Sequence, residues 1–182
     1  MPSAPVPLLG RRGIVLGALL APWAELSHAQ SPPPRPAGGG PTPLPLPGRS
    51  LPLPVEVDLL NGTVLRPVHE PNKVLVLYWW ASWCPFCAIQ SPLIDKLWKA
   101  HRGAGLQVLG LSIDKQRNEA TDHLRAKGYG FPSTWVTPAI ETVLPKPKGL
   151  PVTVVLGRDG KVLMAEAGQL FPEDVEQIAR FL

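Results

Sequence analysis

The sequence predicts an α/β fold: a mixed central sheet with helices on both faces and a β-hairpin extension ahead of it. Three observations carry this. Lys73 to Trp80, KVLVLYWW, is nearly continuously apolar, as a strand covered on both faces is. An amphipathic helical segment follows it, and then a second apolar strand, Gly105 to Asp114. The chain closes with a strand, a tight turn, another strand and a last helix, which adds antiparallel pairing to the parallel unit.

Each element has its own signal. In VEVDLLNGTVLRPV, Asn61-Gly62 lies between two short alternating runs, the strongest short-range hairpin signal. The first helix is expected from about Cys84 to His101, with Ile89, Leu93, Ile94, Leu97 and Trp98 on its inward face. Gly103 and Gly105 end it. Arg117 to Gly128 is a second amphipathic helix closed by its glycine. Phe131 to Pro147 is broken by prolines, with a short helix expected near Pro138 to Leu144. PVTVVL and KVLMAEA flank the turn Arg158-Asp159-Gly160. The last helix carries acids in its first turn, where the helix dipole favours them.

The front of the chain has a different character. Arg11 and Arg12 precede an apolar run, Ile14 to Ala24, and the small-residue site Ser27-His28-Ala29. This is the layout of an export signal over residues 1–29, in an order similar to a twin-arginine signal. Its apolar run of about 11 residues is shorter than the ~20 that span a bilayer. The expected location is a bacterial periplasm, as a soluble protein after cleavage; an uncleaved, membrane-anchored N-terminus is the other reading. Residues 30–54 are rich in proline and glycine and read as a flexible linker. Residues 55–182 are the folded domain.

The net charge of +4 is mild and scattered, with no basic stripe of interleaved aromatics, so nucleic acid is not an expected partner. The chain's two cysteines, Cys84 and Cys87, are separated by two residues. Zinc would need about four ligands, and there is no second Cys-x-x-Cys; His69, His101 and His123 are scattered. No metal or other cofactor is therefore expected. A structural disulfide closing so short a loop would stabilise only modestly. A redox pair has a direct mechanism. Cys84 falls at a helix start, where free N–H groups and the dipole favour a thiolate. Cys87, one turn on, can close the disulfide. On this reading Cys84 is an exposed nucleophile and Cys87 a buried resolving thiol.

Trp83-Cys84-Pro85-Phe86-Cys87 after KVLVLYWWAS resembles the active site of the thioredoxin superfamily. More narrowly, 55–182 resembles the TlpA/ResA/CcmG (DsbE) group of exported thiol-disulfide oxidoreductases. Pro92 and the turn Arg158-Asp159-Gly160-Lys161 fit that group's pattern. The resemblance implies a thioredoxin-like fold. It also implies a cis peptide before Pro151, with Leu150 offering its backbone to an extended substrate. Trp83 would pack beside the disulfide, and Pro85 and Phe86 would tune potential and partner contact. The implied partners are exported proteins with cysteines or disulfides, apocytochrome c among them, and a membrane thiol carrier of the DsbD/CcdA type as electron donor.

Two positions depart from the pattern. Tyr78 stands where thioredoxin has a buried acid, and Gln90 where ResA-like proteins have a glutamate. The proton acceptor for Cys87 is left unassigned, with water or an acid such as Glu141 as candidates. Trp79 and Trp80 should face opposite sides of their strand. The expected activity is reduction of disulfides. A disulfide-donating oxidant and a copper carrier using both thiols stay open at this point. A peroxidatic Thr-x-x-Cys pattern is absent from the sequence.

Overall fold

The computed structural model describes residues 43–67 and 72–182. The expected export signal 1–29, the first part of the expected linker and His69 lie outside the described residues. The hairpin is β1 (Val57–Asp58) and β2 (Val64–Leu65), paired antiparallel. The main sheet holds β3 (Val74–Trp80), β4 (Leu106–Ser112), β5 (Ser133–Trp135), β6 (Val152–Leu156) and β7 (Val162–Ala167), in the order β5-β4-β3-β6-β7. The helices are α1 (Pro85–His101), α2 (Arg117–Lys127), α3 (Pro138–Val143) and α4 (Pro172–Gln177), the last continued by a 3₁₀ turn over Ile178–Phe181.

The sheet is mixed, as expected. β3 runs parallel to β4 and antiparallel to β6; β4 and β5 are parallel, and β6 and β7 antiparallel. β3 is buried along its whole length. Its side chains alternate between two cores. Val74, Val76, Tyr78 and Trp80 join Ile94 and Leu97 of α1, Ala120 of α2 and Val175 of α4. Leu75, Leu77 and Trp79 join Val57 and Leu59 of the hairpin region and Ile140 of α3. Period-two alternation thus sends the two neighbouring tryptophans to opposite faces.

Three sequence expectations change. β5 was not anticipated in the proline-broken stretch; it is three residues long and held by Gly110 and Ser112 of β4. Residues 43–54 are not free chain: Leu44, Leu51 and Leu53 pack against the second core. Val162 of β7 accepts from the Gly48 N–H at 2.8 Å and donates to the Arg49 carbonyl at 2.9 Å. Apolar leucines between the prolines give this part of the linker something to bury. Ile89 is 53% exposed, so it is not on the inward face of α1.

Candidate active site

The cysteine pair sits where the central strand hands over to α1. Cys84 is the N-cap residue of α1, in extended conformation, and Pro85 follows in the first turn. Proline suits this position because its missing N–H would have no helical partner there. The Cys84 sulfur accepts from the Cys87 backbone N–H at 3.1 Å. The first turn holds no acidic side chain. The two sulfurs are joined as a disulfide, with Cα atoms 5.2 Å apart.

Cys84 is only 3% exposed and Cys87 1%, so the expectation of an exposed Cys84 is corrected. In the disulfide, Cys84 is bonded to Cys87 beneath the first turn, and both belong to the core around Tyr78 and Ile94. The exposed groups beside it are Trp83 at 62% and Phe86 at 56%, with Pro85 also exposed. The Leu150–Pro151 peptide is cis. Leu150 is half-buried and packs against the core that contains both cysteines. Pro151 is buried, and its carbonyl accepts from the Gly168 N–H at 2.8 Å. Register brings this segment to the site: Trp79 of β3 lies opposite Val152 of β6.

The two departures from the family pattern are buried. Tyr78 is 0% exposed, and its hydroxyl lies 3.0 Å from Ser91 Oγ and 3.5 Å from the Cys87 carbonyl, to which it donates. Burial pushes its phenol well above the ordinary value, and the Ser91 hydrogen bond only partly offsets this. The phenol stays protonated near neutral pH and is no base for Cys87. Gln90 is also fully buried. Its amide donates to Thr153 Oγ1 at 2.8 Å and accepts from the Leu170 N–H at 2.7 Å. It ties α1 to β6 two residues past the cis proline, and to the segment leading into α4. Glu141 pairs with Lys146 at 3.1 Å and is partly exposed, on a helix whose buried residue joins the other core.

One site residue escaped the sequence reading. Asp114, just past β4, is 4% exposed and takes hydrogen bonds from Ser82, two residues before Cys84. An acid after an apolar strand reads as an ordinary turn residue, and only the β3–β4 register places it beside Ser82.

The AhpC/TSA family model matches residues 61–164, which include the disulfide, β3 to β6 and the cis proline. The chain belongs to the AhpC/TSA family. Thioredoxin 2 of Plasmodium falciparum is 38% identical over 61 residues, covering 33% of this chain and 37% of that protein. Thiol-disulfide oxidoreductase ResA of Geobacillus thermodenitrificans is 25% identical over 121 residues, covering 65% of this chain and 68% of the relative. The chain thus spans little more than a third of the first of these relatives and about two thirds of the second. Among solved structures, a thiol:disulfide interchange protein of the thioredoxin family from Chlorobium tepidum superposes with a TM-score of 0.66 at 19% identity, over 74% of this chain and 97% of its own. The fold is thioredoxin-like. The ResA relative and the Chlorobium tepidum protein are named for thiol-disulfide chemistry, and this chain carries the Cys84–Cys87 disulfide.

Proposed function

We propose that this protein reduces disulfides in exported proteins, with Cys84 as nucleophile and Cys87 as resolving thiol. The observation that carries it is the Cys84 sulfur at the start of α1, accepting the Cys87 N–H at 3.1 Å. That N–H and the helix dipole favour negative charge on Cys84 when the pair is reduced.

The reaction moves two electrons. The Cys84 thiolate attacks one sulfur of a substrate disulfide and the other sulfur leaves as thiolate, giving a mixed disulfide. Cys87 loses its proton to water and attacks the Cys84 sulfur. The mixed disulfide breaks, the second substrate sulfur leaves, and the enzyme is left oxidised. A membrane thiol carrier of the DsbD/CcdA type then returns the electrons. Trp83, Pro85 and Phe86 form the apolar rim that meets the client, and the Leu150 backbone receives its extended segment. Apocytochrome c is one such client. The first 29 residues direct the chain to the periplasm, and residues 55–182 do the chemistry. No helix among the described residues is long and apolar enough to cross a membrane.

Two measurements test this. Cys84→Ser should abolish reduction of insulin disulfides, and full activity in that variant would sink the assignment. The equilibrium potential of the pair, taken against a dithiothreitol buffer, should lie near or below about −220 mV. A value above about −160 mV would make the protein a disulfide donor and reverse the direction.

A further inference from the structure

We propose that Asp114 is a positioning residue for the redox pair: its carboxylate clamps the Ser82 backbone and sets a fixed negative charge beside the turn that carries Cys84, holding the Cys84 thiol less acidic than the helix start alone would make it. This rests on the reading of Cys84 as the reactive thiol.

The geometry is specific. Asp114 Oδ1 accepts from the Ser82 N–H at 3.0 Å and from Ser82 Oγ at 2.7 Å. Oδ2 accepts from the same N–H at 3.2 Å and from Ser112 Oγ at 2.7 Å. Both oxygens only accept, which is the pattern of an ionised carboxylate. All of these donors are neutral, so the charge is solvated by hydrogen bonds and not cancelled by a cation in this clamp. The Asp114 backbone is fixed as well: its N–H donates to Ser112 Oγ at 3.2 Å and its carbonyl accepts from the Trp135 indole at 2.8 Å.

The clamp sits at the end of the parallel pair. Trp80 lies opposite Ser112, and the Ile113 N–H donates to the Trp80 carbonyl at 3.0 Å. The next residues of β3's chain, Ala81 and Ser82, are therefore brought to Asp114. The Ala81 carbonyl in turn accepts from the Cys84 N–H at 3.2 Å. Two residues of chain span at most about 7 Å, so the carboxylate is on the order of 10 Å from the Cys84 sulfur. At that range a charge shifts a thiol by about half a pH unit or more in a medium of intermediate dielectric. The sign is fixed, since a neighbouring anion disfavours the thiolate. Among the described residues, His123 of α2 interacts with Asp114: burial and Lys127 lower its pKa while Asp114 raises it. His123 is thus the group that would partly offset the carboxylate in acid.

A less stable thiolate means a less stable reduced form, and so a lower potential. Asp114 thereby does from the end of β4 what Tyr78, protonated, does not do from within β3.

The test is the pH profile of iodoacetamide alkylation of the reduced full chain, with the modified sulfur assigned by mass spectrometry. Asp114→Asn is nearly isosteric and keeps an oxygen for the Ser82 N–H. Its alkylation midpoint should fall by roughly half a unit or more. The variant should also become more oxidising, by severalfold in its equilibrium constant with dithiothreitol. Ser82→Ala keeps the carboxylate and removes one donor that solvates it, so its midpoint should rise. A merely structural Asp114 would lower the melting temperature and leave the midpoint in place. A folded Asp114→Asn with an unmoved or raised midpoint overturns the proposal. If that variant does not fold, an unmoved or lowered midpoint in Ser82→Ala overturns it instead. If alkylation does not fall on Cys84 at all, the functional reading fails, and that outcome is separately visible.

Discussion

Gln90 is held at both ends of its amide. One end donates to Thr153 and the other accepts from Leu170, across 63 and 80 residues of chain. A buried polar group earns little when paired, but leaving its partners unpaired costs about 1–3 kcal/mol each. Gln90→Leu should therefore lower the unfolding free energy by ~2–4 kcal/mol in urea titration, since the Leu170 N–H loses its acceptor. A change under about 0.5 kcal/mol would show that Leu170 finds another partner. Gln90, buried, also explains why Ile89 beside it reads as core in the sequence yet is exposed. The buried positions of α1 are Cys87, Gln90, Ser91, Ile94, Asp95 and Leu97. Three of these are polar, and each spends its polar atoms on a specific acceptor or donor. A glutamine in the core looks like surface in a sequence, and an isoleucine on the rim looks like core.

At the scale of elements, β3 was legible because its apolar run has no interruption, and α2 because Gly128 closes it in the left-handed conformation. The cis proline came from the motif around it and not from any local propensity. β5 was not legible: its pairing is supplied by β4, and three residues between prolines carry no periodicity of their own. The β4–β5 contact also has a tight point. A Cβ on Gly110 would lie 2.9 Å from the Phe131 ring and 3.0 Å from the Trp80 indole nitrogen, besides meeting the Ser133 hydroxyl. Gly110→Ala overpacks this contact and should destabilise the fold by ~1–3 kcal/mol. The check is a lower urea midpoint at unchanged slope. An unmoved midpoint would mean that β5 gives way without cost.

For the whole molecule, acid should be felt through His123. It lies against Trp80, with ring centroids 5.6 Å apart, and against Tyr129 at 6.3 Å. Its pKa is lowered by burial first and by Lys127 second, with Asp114 opposing. The folded protein thus binds this proton less readily than the unfolded chain, whose histidine titrates near ~6.5. Stability is full above that value and falls as pH drops through it, until the folded histidine also protonates. His123→Gln should flatten this part of the curve, so that its melting temperature drops less between about pH 7 and about pH 5. Parallel curves for the two proteins would rule His123 out as the source.

The β3–β6 pairing has a consequence in time. The cysteine pair and β6, the strand that follows the cis proline, are distant in sequence, with Gln90 and Thr153 63 residues apart. A chain made from its N-terminus presents both thiols well before β6 exists to pair with β3. Non-local pairing of this kind also closes slowly. For that interval the nascent thiols stand open to whatever oxidants and stray cysteines surround them. A compartment that makes or receives this chain must keep it from cross-linking until its last 31 residues, from Val152 on, arrive.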